Sequence, residues 1–140
     1  MAPLAGLLGM VLACAGPAAS PPPSSRAAAR WSATSADGEI HGEIGPQSGQ
    51  VAVGEFSIWE VALRDRWGRP LSGASVAIGG GMPKHGHGLP TQPRVTGESS
   101  PGRYRIEGMK LNMYGDWILE VAFETRAVAG RLRFPVHVDF

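Results

Sequence analysis

Trp117-Ile118-Leu119-Glu120-Val121-Ala122-Phe123 is the stretch on which the fold turns. Trp117, Leu119, Val121 and Phe123 fall on one side of an extended backbone, and the mixed set Ile118, Glu120 and Ala122 falls on the other. A period of two with one apolar side predicts a β-strand buried on a single face. Moving outward, Leu132, Phe134, Val136 and Val138 repeat the pattern near the end of the sequence. Tyr104, Ile106 and Gly108 repeat it upstream, after the turn residues Ser99-Ser100-Pro101-Gly102. Ala74, Val76 and Ile78 form another inward set, and so do Trp59, Val61 and Leu63 ahead of the turn Asp65-Arg66-Trp67-Gly68-Arg69-Pro70. Glu39 to Ile44 reads as a weaker first strand and Arg94 to Gly97 as a weak edge. About seven strands at roughly 8–12-residue spacing predict an all-β antiparallel sandwich. No segment carries a helical apolar stripe, and the 20 glycines and 12 prolines suit many turns.

The chain of 140 residues has room for one domain. Thirteen Lys and Arg against twelve Asp and Glu give a formal charge of +1, with no basic stripe, so nothing predicts a nucleic-acid partner. A single cysteine excludes an internal disulfide framework and a CxxC site. That cysteine, Cys14, closes Val11-Leu12-Ala13-Cys14-Ala15 after an apolar run over residues 4–13. The run is too short to span a bilayer, which takes roughly 20 residues, and fits the core of an export signal. The cysteine position resembles a bacterial lipobox, although no Lys or Arg precedes the run. The sequence thus predicts a signal or lipoprotein leader over 1–16, with Cys14 as the lipidation site. A Pro/Ala/Ser-rich tether that packs against nothing follows over 17–36, and the folded domain spans 37–140. Export to the periplasm, or anchoring there as a lipoprotein, is the expected location. The membrane is reached only through the N-terminus, and the domain is expected to be monomeric.

Gly79-Gly80-Gly81-Met82-Pro83-Lys84-His85-Gly86-His87-Gly88-Leu89-Pro90 does not read as a simple connection. His85 and His87 are two apart, so an extended backbone turns both imidazoles to one side. Met109 and Met113 form a second group downstream. Imidazole with thioether suits copper, Cu(I) above all, and suits zinc less well without a cysteine or carboxylate in the cluster. The plain alternative is a flexible surface turn, with Met109 as a core filler. His41 and His137 read as solvated strand residues. A cupin needs a carboxylate close behind the HxH pair, and Glu98 is too distant. A copper–zinc superoxide dismutase needs more histidines than the four present. With no GxSxG, HExxH or Cys/His pair in the domain, an enzyme is not predicted.

Gly81-Met82-Pro83-Lys84-His85-Gly86-His87-Gly88-Leu89-Pro90-Thr91-Gln92-Pro93 resembles the motif of the YtkA-like domain, a relative of the FixH-like proteins. The resemblance continues through Gly102-Arg103-Tyr104 and Glu107-Gly108-Met109. It ends in Asn112-Met113-Tyr114-Gly115-Asp116-Trp117-Ile118-Leu119, and in all covers about residues 38–138. It implies a small exported immunoglobulin-like sandwich, often tethered to a bacterial membrane, and carries Met82, His85, His87 and Met113 over as the positions of interest. FixH-like relatives keep a full membrane helix and are linked to copper supply for respiratory oxidases. The expectation is a non-enzymatic domain that binds copper through Met82, His85, His87 and Met113, with Met109 as a fifth contributor. It would buffer the metal or pass it to a copper-receiving or membrane protein. The competing expectation is a metal-free interaction module in which the loop is a packing device.

Overall fold

The computed structural model describes residues 27–140, so the expected leader, Cys14 and the first part of the tether lie outside the described residues. Nine strands follow in order: β1 (Trp31–Thr34), β2 (Ile40–Pro46), β3 (Ser57–Asp65), β4 (Ser75–Met82), β5 (His87–Gly88), β6 (Arg94–Ser100), β7 (Arg103–Met109), β8 (Gly115–Glu124) and β9 (Ala129–Val138). One sheet runs β1-β2-β3-β7-β6 and the other β5-β4-β8-β9. Every pairing is antiparallel. Without β1 and β5, the orders β2-β3-β7-β6 and β4-β8-β9 are the ABED and CFG sheets of an immunoglobulin-like sandwich. The all-β expectation holds, with two strands more than the alternation revealed.

The inward residues are those the period of two picks out. Trp117, Leu119 and Val121 of β8 are fully buried, and Phe123 nearly so. Trp59, Val61 and Leu63 of β3 and Leu132 and Phe134 of β9 meet them in one core. In antibody domains the strands equivalent to β3 and β8 carry the disulfide that ties the sheets together. Here each carries a fully buried tryptophan near its start, Trp59 and Trp117, so apolar packing rather than a disulfide joins the sheets.

Part of the stretch expected as a tether over 17–36 belongs to the folded domain. Trp31–Thr34 form β1 and pair with β2 in the register Trp31↔Ile44 to Thr34↔His41. The Trp31 ring stacks on Trp59 with centroids 5.8 Å apart and planes 10° from parallel. Such a pair stabilises by about 0.5–1.5 kcal/mol beyond the area it buries. The reason for the difference is an aromatic at the start of a stretch otherwise made of small polar residues. One anchoring ring and a free edge on β2 suffice to order four residues.

The sandwich has two distinct ends. β3 and β8 begin at one end, where β4, β7 and β9 finish, and that end holds the Met82–Leu89 and Lys110–Tyr114 connections. At the other end the β3–β4 connection is tied down by Tyr104, whose hydroxyl donates to the Leu71 carbonyl at 2.6 Å and accepts from the Ala74 amide at 2.9 Å.

Candidate functional site

The glycine-rich stretch is not one loop. Gly79 to Met82 continue β4, a 3-10 turn covers Pro83–His85, and His87–Gly88 return as β5. Three glycines lack the side chains from which strand alternation is read, which is why the sequence alone suggested a loop. Gly81 is required by the return: a Cβ there would stand 2.4 Å from the His87 carbonyl oxygen. Gly86 ends the turn in the left-handed region at φ 67°, where an L side chain is strained.

This geometry changes how the histidines meet. The backbone between them is a turn rather than an extended strand, so the two-residue spacing does not align them as expected. The imidazoles are nevertheless near neighbours, with centroids 6.0 Å apart and planes inclined by 41°, and both are exposed. His87 Nδ1 lies 3.0 Å from the Gly88 carbonyl oxygen. A carbonyl only accepts, so Nδ1 carries the proton and Nε2 of the neutral ring keeps a free lone pair.

Met82 and His87 are directly opposite in the β4–β5 ladder. Directly opposed residues share a face, with Cβ atoms about 4.5–5.5 Å apart. Met82 is fully buried, and its Cε lies 3.4 Å from where a Cβ on Gly115 would stand. His87 presents itself edge-on to Trp117, 6.0 Å between centroids at 70°. The Trp117 indole N–H donates to the Met113 carbonyl at 3.0 Å. Met113 is half-buried against the core. Met82, His87 and the Met113 backbone carbonyl thus lie around the start of β8, with His85 beside His87. Met109 is different. It closes β7 opposite Ser57 in the other sheet and is wholly buried, which matches the core-filler alternative. Met82 and His87 line a shallow groove of 310 Å³ with Gly80, Gly81 and Gly86.

Among the described residues no group of three or more His, Cys, Asp or Glu is arranged to hold a metal ion. A metal at this end therefore depends on the thioethers to complete the imidazole pair. The donors fit Cu(I) in kind: two imidazoles, one with its tautomer set, and one half-buried and one buried thioether.

One network at this end escaped the sequence reading. Asp116 and His137 oppose each other in the β8–β9 ladder, and His137 Nδ1 lies 2.6 Å from Asp116 Oδ1. Lys84, in the 3-10 turn, donates to Asp116 Oδ2 at 2.6 Å, and His137 Nε2 lies 3.1 Å from Asp139. The hydrogen bond from Lys84, helped by His137, holds the Asp116 carboxyl below its usual value. The hydrogen bond to Asp116 pushes His137 above its usual value. His137 was expected to be a solvated strand residue; it is exposed but held between two carboxylates. Strand alternation gives parity but not cross-strand register, so the pairing was not visible. Among the described residues the Thr34 hydroxyl, at 3.0 Å, is the ring partner of His41.

An immunoglobulin-like sandwich with imidazoles and thioethers collected at one end is thus the class of domain. The family model described as YtkA-like matches residues 36–122, more than half of the chain, and the chain belongs to that family. No curated protein and no solved structure matches the chain.

Proposed function

We propose that this is a non-enzymatic domain of the bacterial cell envelope. It is exported by its leader and tethered there, binds Cu(I) as cargo at the His85–His87 turn, and buffers the ion or passes it to a copper-receiving partner. The observation that carries the reading is the set state of His87. Its Nδ1 proton is engaged by the Gly88 carbonyl, which leaves the Nε2 lone pair for a ligand, and His87 stands opposite Met82 in the ladder. His85 lies beside it, and Met113 stands on the adjoining connection. Imidazole and thioether together prefer Cu(I) to harder cations. Exposure of both histidines suits an ion that must be received and released.

A second reading rests on a specific observation too. Met82 is fully buried and the His87 ring lies against Trp117, so the turn also serves as a lid on the core. A metal-free interaction module would need no more than this. Titration calorimetry of the whole protein with Cu(I), under a competing chelator, separates the two. His85→Ala with His87→Ala is expected to abolish tight binding, a loss of at least about 100-fold. The thermal midpoint should stay within a few degrees, because an exposed turn carries little stability. Undiminished binding by that variant would remove the turn from the metal site. Loss of folding would favour the lid.

A further inference from the structure

The described residues expose four large hydrophobic side chains: Phe56 (70%), Trp67 (68%), Tyr114 (44%) and Phe140 (102%). Three of them share the end that carries the His85–His87 turn. Phe56 immediately precedes β3, Tyr114 precedes β8, and Phe140 follows β9. They are arranged rather than scattered. Tyr114 and Phe140 stack at 4.6 Å, and Lys110 Nζ lies 5.2 Å from the Phe56 ring centre. Beside the stacked pair a groove of 330 Å³ has Ala27, Trp31, Val51 and Val53 on its apolar side and Gln50, His137 and Asp139 on its polar side.

The chain enters the described domain at this same end. The Ala29 amide donates to Gly49 at 2.8 Å, in the β2–β3 connection, before β1 begins. Upstream lie the apolar run at 4–13 and Cys14, separated from Ala27 by a dozen residues rich in Pro, Ala and Ser. A connection of that length reaches at most about 45 Å. The ten-residue strand β8 alone spans about 33 Å, so the Trp67 tip lies that much further from the entry point.

We propose that this end of the sandwich is a membrane-facing surface, with Phe56, Tyr114 and Phe140 seated in the headgroup region of a lipid bilayer. Aromatic rings, tyrosine with its hydroxyl in water and its ring in apolar surroundings, are the side chains that settle at membrane–water interfaces. A basic chain laid over an aromatic, as Lys110 is over Phe56, keeps its charge in the headgroups while its stem covers apolar surface. The occupant is a bilayer because a short connection leads from this end to Cys14, the expected lipidation site. The inference rests on the tethering part of the proposed function and is independent of copper. One consequence is that the His85–His87 turn opens toward the membrane, so that an ion released there meets a membrane-embedded acceptor.

Hydrogen–deuterium exchange of the full chain tests this, with and without phosphatidylethanolamine/phosphatidylglycerol vesicles. Vesicles are expected to slow exchange in peptides covering 50–57, 109–115 and 136–140, and to leave 65–70 unchanged. In Phe56→Ser/Tyr114→Ser/Phe140→Ser that slowing should disappear while the protein still sediments with the vesicles. Vesicle-bound protein without slowing at these segments overturns the surface and spares the tether. Slowing at the Trp67 tip reverses the orientation and overturns it as well. Slowing that appears without lipid as protein concentration rises assigns the face to a second copy. Failure to sediment overturns both the tether and the surface.

Discussion

His137 illustrates how one side chain takes its chemistry from register rather than from sequence neighbours. It stands opposite Asp116, which in turn holds Lys84, so a single carboxylate links β9, β8 and the 3-10 turn before His87. The pH dependence follows from the two shifts. His137 is raised above 6.5, so its contribution to stability is complete below about pH 6.5 and is lost as the pH rises through its folded value. Asp116 is lowered below 3.8, so its contribution is present above about pH 3.8 and is lost as the pH falls through its folded value. Both groups are charged together between these limits. The thermal midpoint of His137→Gln should therefore fall furthest below that of the parent near pH 5. The gap should close as the buffer is taken well above neutral. Because the groups are exposed, added salt should shrink it too. A gap that stays constant from pH 5 to 9 would show that the charge on His137 contributes nothing.

At the scale of elements, β1 is where composition and structure part. Trp31-Ser32-Ala33-Thr34 alternates half-buried and exposed, but four residues inside an Ala/Ser/Pro-rich stretch give too short a run for alternation to stand out. Deleting residues 1–36 removes the Trp31–Trp59 stack and the whole β1–β2 ladder, and bares one edge of β2. The thermal midpoint is expected to drop by roughly 5–15 °C, corresponding to about 1–2 kcal/mol in a domain of this size. Deleting only 1–26 should leave that stack and ladder in place. Equal midpoints for the two deletions would mean that β1 adds nothing. The longer strands β3, β8 and β9 were legible because their inward residues are large and unbroken. The end of β4 and all of β5 were not, since Gly79-Gly80-Gly81 has no side chains to alternate and β5 has only two residues. The site was legible as residue types and only partly as geometry. The spacing drew attention to His85 and His87, but the turn between them, the ladder partner Met82 and the burial of Met109 depend on tertiary packing.

At the scale of the whole molecule, the turn is coupled to the core through contacts that exist only in the folded chain. Met82 reaches from the ladder beneath His87 into the interior, and Trp117 touches His87 with its ring while its N–H holds the Met113 carbonyl. An ion held by His87 with either thioether therefore needs β4, β5 and β8 assembled. A ligand that binds only the folded state stabilises it by about 2.7 kcal/mol at a hundredfold excess over its Kd. In a domain of about 100 residues that corresponds to a rise of roughly 10–20 °C in the thermal midpoint. The alternative for a His/Met-bearing chain is capture by donors that work equally well unfolded. Binding to the unfolded state cancels the shift, however tight it is. Calorimetric scans of the whole protein under anaerobic conditions, with Cu(I) buffered at increasing free concentration, distinguish the two. The expected result is a midpoint that climbs steadily with free Cu(I) in the parent and stays level in His85→Ala/His87→Ala. A parent that takes up the ion with no change in midpoint would show that the histidines bind it without the fold, and the juxtaposition around Trp117 would then have no part in holding it.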